Sequence, residues 1–126
     1  MTTAAERKRI LLIDDTPTYL ALLNHTLKDD YDILIAKDGE EGLSIAKKVL
    51  PDLILLDVVM PGISGHEVLK TIKSDEEMSH IPVILATGDT GDGSDEKGYK
   101  LGAFDYIKKP FTVTEVKTKV DSIMQA

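Results

Sequence analysis

Leu53-Ile54-Leu55-Leu56 ends on Asp57, and Val58-Val59-Met60-Pro61-Gly62 follows at once. Four consecutive apolar residues ahead of a turn read as a strand covered on both faces. That is the pattern of a parallel sheet between helix layers. A carboxylate at the tip of such a strand is costly unless something there uses its charge. Three other places repeat the break. Ile10-Leu11-Leu12-Ile13 runs into Asp14-Asp15, Val83-Ile84-Leu85-Ala86 into Thr87, and Tyr106-Ile107 into Lys108-Lys109-Pro110.

Working outward, strand and helix patterns alternate five times. The predicted strands are 9–13, 32–36, 53–56, 83–86 and 105–108. Helix starts are marked by Thr16 before Pro17 and by Asp38/Glu41, Ser64/Glu67 and Thr112/Glu115 at capping-box spacing. Apolar residues then recur at helical intervals: Leu20, Leu23, Leu27; Leu43, Ala46, Leu50; Val68, Leu69, Ile72; Val113, Val116, Val120, Ile123. Five βα units predict an α/β fold of three layers, a doubly wound parallel sheet flanked by helices. Residues 1–7 read as a flexible N-terminal segment and 8–126 as one domain.

The chain has 126 residues, 42% hydrophobic and 29% charged, enough for a core without staples. It has no cysteine, which excludes disulfides and thiolate metal sites. The net charge of −7 argues against nonspecific nucleic-acid binding, which needs clustered Lys and Arg, and no nucleic-acid partner is expected. The one basic cluster, Arg7-Lys8-Arg9, reads as a solvated strand flank. No apolar run is long enough for a membrane span or a signal segment, so a cytoplasmic location is expected.

Right-handed crossovers bring the C-terminal ends of parallel strands to one edge, where ligands bind in such sheets. Asp14, Asp15, Asp57, Thr87 and Lys109 would meet there. Three carboxylates resist ionising together. A hard divalent cation relieves this, and oxygen-only ligation suits Mg²⁺. Its two charges and that of Lys109 would balance the three aspartates, leaving the site receptive to a phosphoryl group. A carboxylate can attack phosphorus to form an aspartyl phosphate, with cations and a hydroxyl on the transferring oxygens. Taken singly, each residue has a plainer use. Asp14-Asp15 can cap a helix, Asp57 can open a turn, and Lys109-Pro110 can be a loop.

Together, Ile13-Asp14-Asp15, Asp57 through Gly62, Ala86-Thr87, Gly102-Ala103-Phe104-Asp105-Tyr106 and Lys109-Pro110-Phe111 resemble the receiver domain of two-component response regulators. The resemblance runs over about 8–124 and makes 8–126 a CheY-like receiver (response regulatory) domain. It implies a flavodoxin-like (βα)5 sheet with strand order 2-1-3-4-5. It implies Asp57 as phospho-acceptor, and Asp14 and Asp15 as the acidic pair for Mg²⁺, Asp15 more directly and Asp14 partly through water. The backbone carbonyl of Val59 would complete the protein's metal ligands. Thr87 would be the switch hydroxyl, Lys109 the phosphoryl partner with a cis bond to Pro110, and Tyr106 the switch aromatic.

The implied donor is the phosphohistidine of a sensor histidine kinase or phosphotransfer protein. The implied output is a partner surface on the fourth helix, fifth strand and fifth helix, in a monomer or a weak phosphorylation-dependent dimer. No turnover of outside substrates is expected. A phosphatase of the haloacid-dehalogenase type usually carries an Asp two residues after its nucleophile, where this chain has Val59. A flavodoxin-like cofactor binder would be repelled by Asp14-Asp15. The remaining alternative is a pseudo-receiver that binds partners without phosphorylation. Because the chain stops just after the last helix, it is expected to be a stand-alone receiver or part of a longer protein.

Departures from the pattern fall after Thr87. Gly98 stands where a helix former is usual, and the stretch 87–95 is glycine-rich and acidic. A short fourth helix over 94–101 and a mobile output face are therefore expected. Val59 and Asp89 should lie beside the phosphoryl group. His25, His66 and His80 read as surface or helix residues apart from the acidic cluster.

Overall fold

Each apolar run becomes a parallel strand: β1 (Arg9–Ile13), β2 (Asp32–Ala36), β3 (Leu53–Asp57), β4 (Val83–Thr87) and β5 (Asp105–Lys108). The structure, a computed structural model, describes residues 7–88 and 94–125. The expectations for 1–6 and for the acidic loop with Asp89 fall outside the described residues. The sheet order is β2-β1-β3-β4-β5, the flavodoxin-like arrangement. β3 and β4 each extend one residue past the predicted strand. Asp57 still pairs with Ala86, and Thr87 with Lys108. Both functional candidates are thus held by the ladder itself.

Between the strands lie α1 (Pro17–Leu27), α2 (Gly39–Val49), α3 (Gly65–Ser74), α4 (Ser94–Lys100) and α5 (Val113–Met124). Alternate strand residues point to opposite faces, and this sorts the core into two clusters. Leu11, Ile13, Ile54, Leu56, Val83 and Leu85 pack against Ala46 of α2 and Val68, Leu69 and Ile72 of α3. Ile10, Leu12, Leu53, Leu55, Ile84 and Ile107 pack against Leu20, Leu23 and Leu27 of α1 and Val116, Val120 and Met124 of α5. That is the three-layer, doubly wound architecture expected from the sequence.

The side chains of Asp38, Ser64 and Thr112 accept the N–H of Glu41, Glu67 and Glu115, as their spacing predicts. Replacing Asp38 by Ala is expected to cost about 1 kcal/mol in urea unfolding, because the N–H of Glu41 loses its acceptor. Thr16 differs. It holds the N-cap position of α1, but its side chain makes no capping bond. Its N–H donates instead to Asp14 Oδ1 at 2.9 Å, so the aspartate organises this turn.

Two residues that keep the helical spacing lie outside the core. Leu50 is the left-handed C-cap of α2 (φ 52°) and Val113 is the first residue of α5; both are exposed. A helix end turns away from the sheet before its periodicity can bury them. Gly98 is more than a weak helix residue. It is buried, and a Cβ there would lie 2.2 Å from Leu85 Cδ1, so glycine lets the seven-residue α4 approach β4. In the basic flank, Lys8 and Arg9 are exposed, but Arg7 is tied down. Its guanidinium donates to the carbonyls of Lys28 and Tyr31 and lies 3.5 Å from Asp32. Among the described residues no helix is long and apolar enough to cross a membrane.

Candidate functional site

The C-terminal ends of β1, β3 and β4 deliver Asp14, Asp57 and Thr87 to one edge, all buried. Asp14 follows β1 directly, fixed by its N–H donating to the Ala36 carbonyl at 3.1 Å. Asp15, next in the chain, is exposed. One carboxylate oxygen each of Asp14, Asp15 and Asp57 lies within 4.8 Å of the others. Among the described residues this is the one such cluster of potential metal ligands. Hard oxygen donors, two of them buried and one exposed, fit Mg²⁺, which accepts few carboxylates and keeps waters.

Lys109 reaches this edge from the loop after β5. Its N–H donates to the Thr87 carbonyl at 2.6 Å, and the Lys109–Pro110 bond is cis, as the family resemblance implies. Its Nζ lies 3.0 Å from Asp14 Oδ2 and 3.2 Å from Asp57 Oδ1. Burial opposes the charge on Lys109, but the bond to Asp14 and the charge of Asp57 outweigh it and raise its pKa.

Asp57 is pushed up to about 6. Burial is the largest cause and the Asp14 charge adds to it, while Lys109 and the Val59 N–H, which donates to Asp57, pull the other way. The lysine does not fully compensate the acidic cluster. A cation bound among these oxygens would favour the charged form of Asp57.

The Val59 side chain, two residues beyond Asp57, is 75% exposed. His66 is a buried residue of α3, while His25 and His80 are exposed; none belongs to the acidic cluster. A cavity of about 630 Å³ between Lys73, Pro82, Phe104 and Ile123 sits where the chain enters β4 and β5, at the opposite edge of the sheet. It is therefore remote from this chemistry.

Tyr106 is half-buried on β5, beside Leu85 of β4 in register. Its ring meets Tyr99 edge-on, with centroids 5.6 Å apart. Lys119 lies 5.5 Å over the same ring and donates to the Tyr106 carbonyl at 2.8 Å and to both oxygens of Asp105 at 3.2 Å. The Tyr99 hydroxyl donates to Asp105 Oδ1 at 3.2 Å. Asp105 thus joins α4, β5 and α5 around the Tyr106 ring. Tyr106 is legible in the sequence, but this hub is not, because its members are ordinary surface residue types.

Two further residues of the edge escaped the sequence. The Tyr19 ring lies 4.2 Å from Lys109 Nζ. Gly65 opens α3 with its N–H donating to the Val58 carbonyl at 2.8 Å, against the end of β3. Tyr19 is the third residue of α1, four positions after Asp15.

Comparison with known proteins agrees with this geometry. The family described as the response regulator receiver domain matches residues 10–121. The chain is 35% identical over 119 residues to protein PilH of Pseudomonas aeruginosa, covering 92% of this chain and 97% of that one. It is 38% identical to the alkaline phosphatase synthesis transcriptional regulatory protein PhoP of Bacillus subtilis, covering 94% of this chain but 49% of PhoP. It is 39% identical to a probable cyclic di-GMP phosphodiesterase of Vibrio cholerae, of which it spans 26%. Several relatives are therefore much longer than this chain.

Among solved structures, chemotaxis protein CheY4 of Vibrio cholerae superposes with a TM-score of 0.87 at 28% identity, covering 93% of this chain and 98% of CheY4. The receiver domain of sensor histidine kinase PA1611 of Pseudomonas aeruginosa, which has a magnesium ion in its active-site cleft, matches with a TM-score of 0.87 at 25% identity, covering 95% and 99%. Family match, strand order and acidic edge coincide along nearly the whole chain: this protein belongs to the receiver domains of two-component response regulators.

Proposed function

We propose that Asp57 is the phosphoryl acceptor of this receiver and that the other edge residues prepare it. The observation that carries this is the placement of a buried, incompletely neutralised Asp57 carboxylate 3.2 Å from the Lys109 ammonium, with Asp14 and Asp15 in ligand range. Asp14, Asp15, Asp57 and the Val59 carbonyl would hold Mg²⁺, whose charge would offset that of the transferring oxygens. A carboxylate oxygen of Asp57 attacks phosphorus of a phosphohistidine. The P–O bond forms as the P–N bond breaks, and the imidazole leaves with the bonding pair. Lys109 moves from the Asp57 oxygen to an oxygen of the new phosphoryl group, and the Thr87 hydroxyl binds another.

The donor is a sensor histidine kinase or phosphotransfer protein, and the cytoplasm, where such kinases meet ATP, is the setting. Thr87 is the route from the phosphoryl group to the output surface. Its pairing with Lys108 places it two residues along the ladder from the Leu85–Tyr106 pair. Contacts made only in the phosphorylated state bias one of two conformers. The Tyr99–Asp105–Tyr106–Lys119 hub lies where α4, β5 and α5 would present the changed face to a partner.

Incubation with Mg²⁺ and a small acyl phosphate, followed by intact mass measurement, tests the reading. One phosphoryl adduct is expected on the parent chain and none on Asp57→Ala. An adduct that survives the substitution sinks the assignment.

A further inference from the structure

The Lys109 ammonium has three donors. Carboxylates of Asp14 and Asp57 take two directions, at 3.0 and 3.2 Å. The Tyr19 ring lies against the same ammonium, its centroid 4.2 Å from Nζ. An ammonium at that distance over a ring face is attracted by the ring quadrupole, most strongly when the pair is shielded from water. Here the lysine side chain keeps only 13% of its exposure.

The ring is itself held. Phe111, buried and two residues beyond Lys109, meets Tyr19 edge-on with centroids 5.1 Å apart and planes at 66°. Tyr19 belongs to the first turn of α1, which starts two residues after Asp15. Phe111 belongs to the same loop as Lys109, between β5 and α5. The first helix and the β5–α5 loop are thereby joined through two rings and one ammonium.

We infer that Tyr19 is a positioning residue for phosphoryl transfer: its ring face holds the Lys109 ammonium at Asp57 and keeps water from competing for it. The inference rests on the reading of Asp57 as acceptor. When a phosphoryl group arrives, Lys109 must exchange one oxygen for another nearby. A lysine confined between a ring and two carboxylates makes that exchange within its existing position. A lysine released to solvent must be reordered and dehydrated at the moment of transfer.

Two measurements test this on the full chain, each with Tyr19→Leu and Tyr19→Phe. The first is the rate of labelling by a small acyl phosphate at saturating Mg²⁺. Tyr19→Leu is expected to label about tenfold more slowly than the parent, and Tyr19→Phe, which keeps the ring face, to recover to within about twofold. The second needs neither metal nor phosphate. In NMR spectra the Lys109 Hε and Hζ resonances are expected to be shielded by the ring in the parent and in Tyr19→Phe, and to lose that shielding in Tyr19→Leu.

Labelling of Tyr19→Leu at the parent rate, or Lys109 resonances that do not move in it, overturns the inference while leaving Asp57 as acceptor. A parent chain that takes no label overturns both. Slow labelling of Tyr19→Phe and Tyr19→Leu alike also overturns it, because the ring face is then not what matters.

Discussion

In chelator at pH 7.5, Asp57→Asn is expected to unfold at higher urea than the parent, by about 2 kcal/mol. The gain comes from removing a buried charge that its neighbours do not fully neutralise. Asn keeps the volume and an acceptor for the Val59 N–H. The sign follows from the pKa of Asp57, about 6 in the folded chain against about 4 when unfolded. Below pH 4 the group is protonated in both states and parent and variant should be equally stable. As pH rises towards 6, the unfolded chain releases this proton before the folded one, so the parent loses stability that the variant keeps. Above pH 6 the difference is complete.

Mg²⁺ should reverse the ranking in part, because it binds the folded parent through a carboxylate the variant lacks. Urea melts at pH 4, 6 and 7.5, with chelator and with Mg²⁺, check all of this. A variant less stable than the parent in chelator at pH 7.5 would show that Lys109 already compensates Asp57.

Gly65→Ala is expected to be the most damaging single substitution at the site, costing at least about 3 kcal/mol and most of the phosphoryl labelling. A Cβ at Gly65 would lie 2.1 Å from the Asp57 carbonyl oxygen and 2.7 Å from Val58 Cα. These are backbone atoms of β3 and its continuation, so no rotamer change relieves the clash. Either α3 moves off the sheet or the end of β3 moves, and Asp57 with it. Displacement of a reacting carboxylate by about 1 Å can cost about a hundredfold in rate. The clash at Gly98 differs in kind, because there the obstacle is the end of the Leu85 side chain. Parallel urea melts and acyl-phosphate labelling of Gly65→Ala check the prediction. A variant with parental stability and labelling would show that this contact is looser than it looks.

The strands were legible because each is a short apolar run ending on a polar residue, and burial on both faces produces that pattern directly. The edge residues were legible for the same reason: Asp14, Asp57 and Thr87 interrupt runs that packing alone would continue. Even so, the apolar runs alone place Asp57 and Thr87 just past their strands. Sequence cannot show that the ladder extends through a polar side chain.

What sequence did not show depends on how separate elements approach one another. Tyr19 meets Lys109 only because α1 and the β5–α5 loop converge. Gly65 matters because of backbone it touches seven and eight residues earlier. Arg7 looked like a solvated flank, yet it binds carbonyls at the turn before β2. Leu50 and Val113 kept helical spacing but sit at helix ends, where periodicity no longer reports the direction of the core.

The Asp57 carboxylate is the expected destination of the phosphoryl group. Reduction by borohydride converts an aspartyl phosphate to homoserine and so marks the acceptor permanently. After labelling with a small acyl phosphate and Mg²⁺, reduction and peptide sequencing by mass spectrometry, homoserine is expected at position 57 and nowhere else. Homoserine at position 14 or 15, or a phosphoryl group that resists reduction as a hydroxyl ester, would contradict the account.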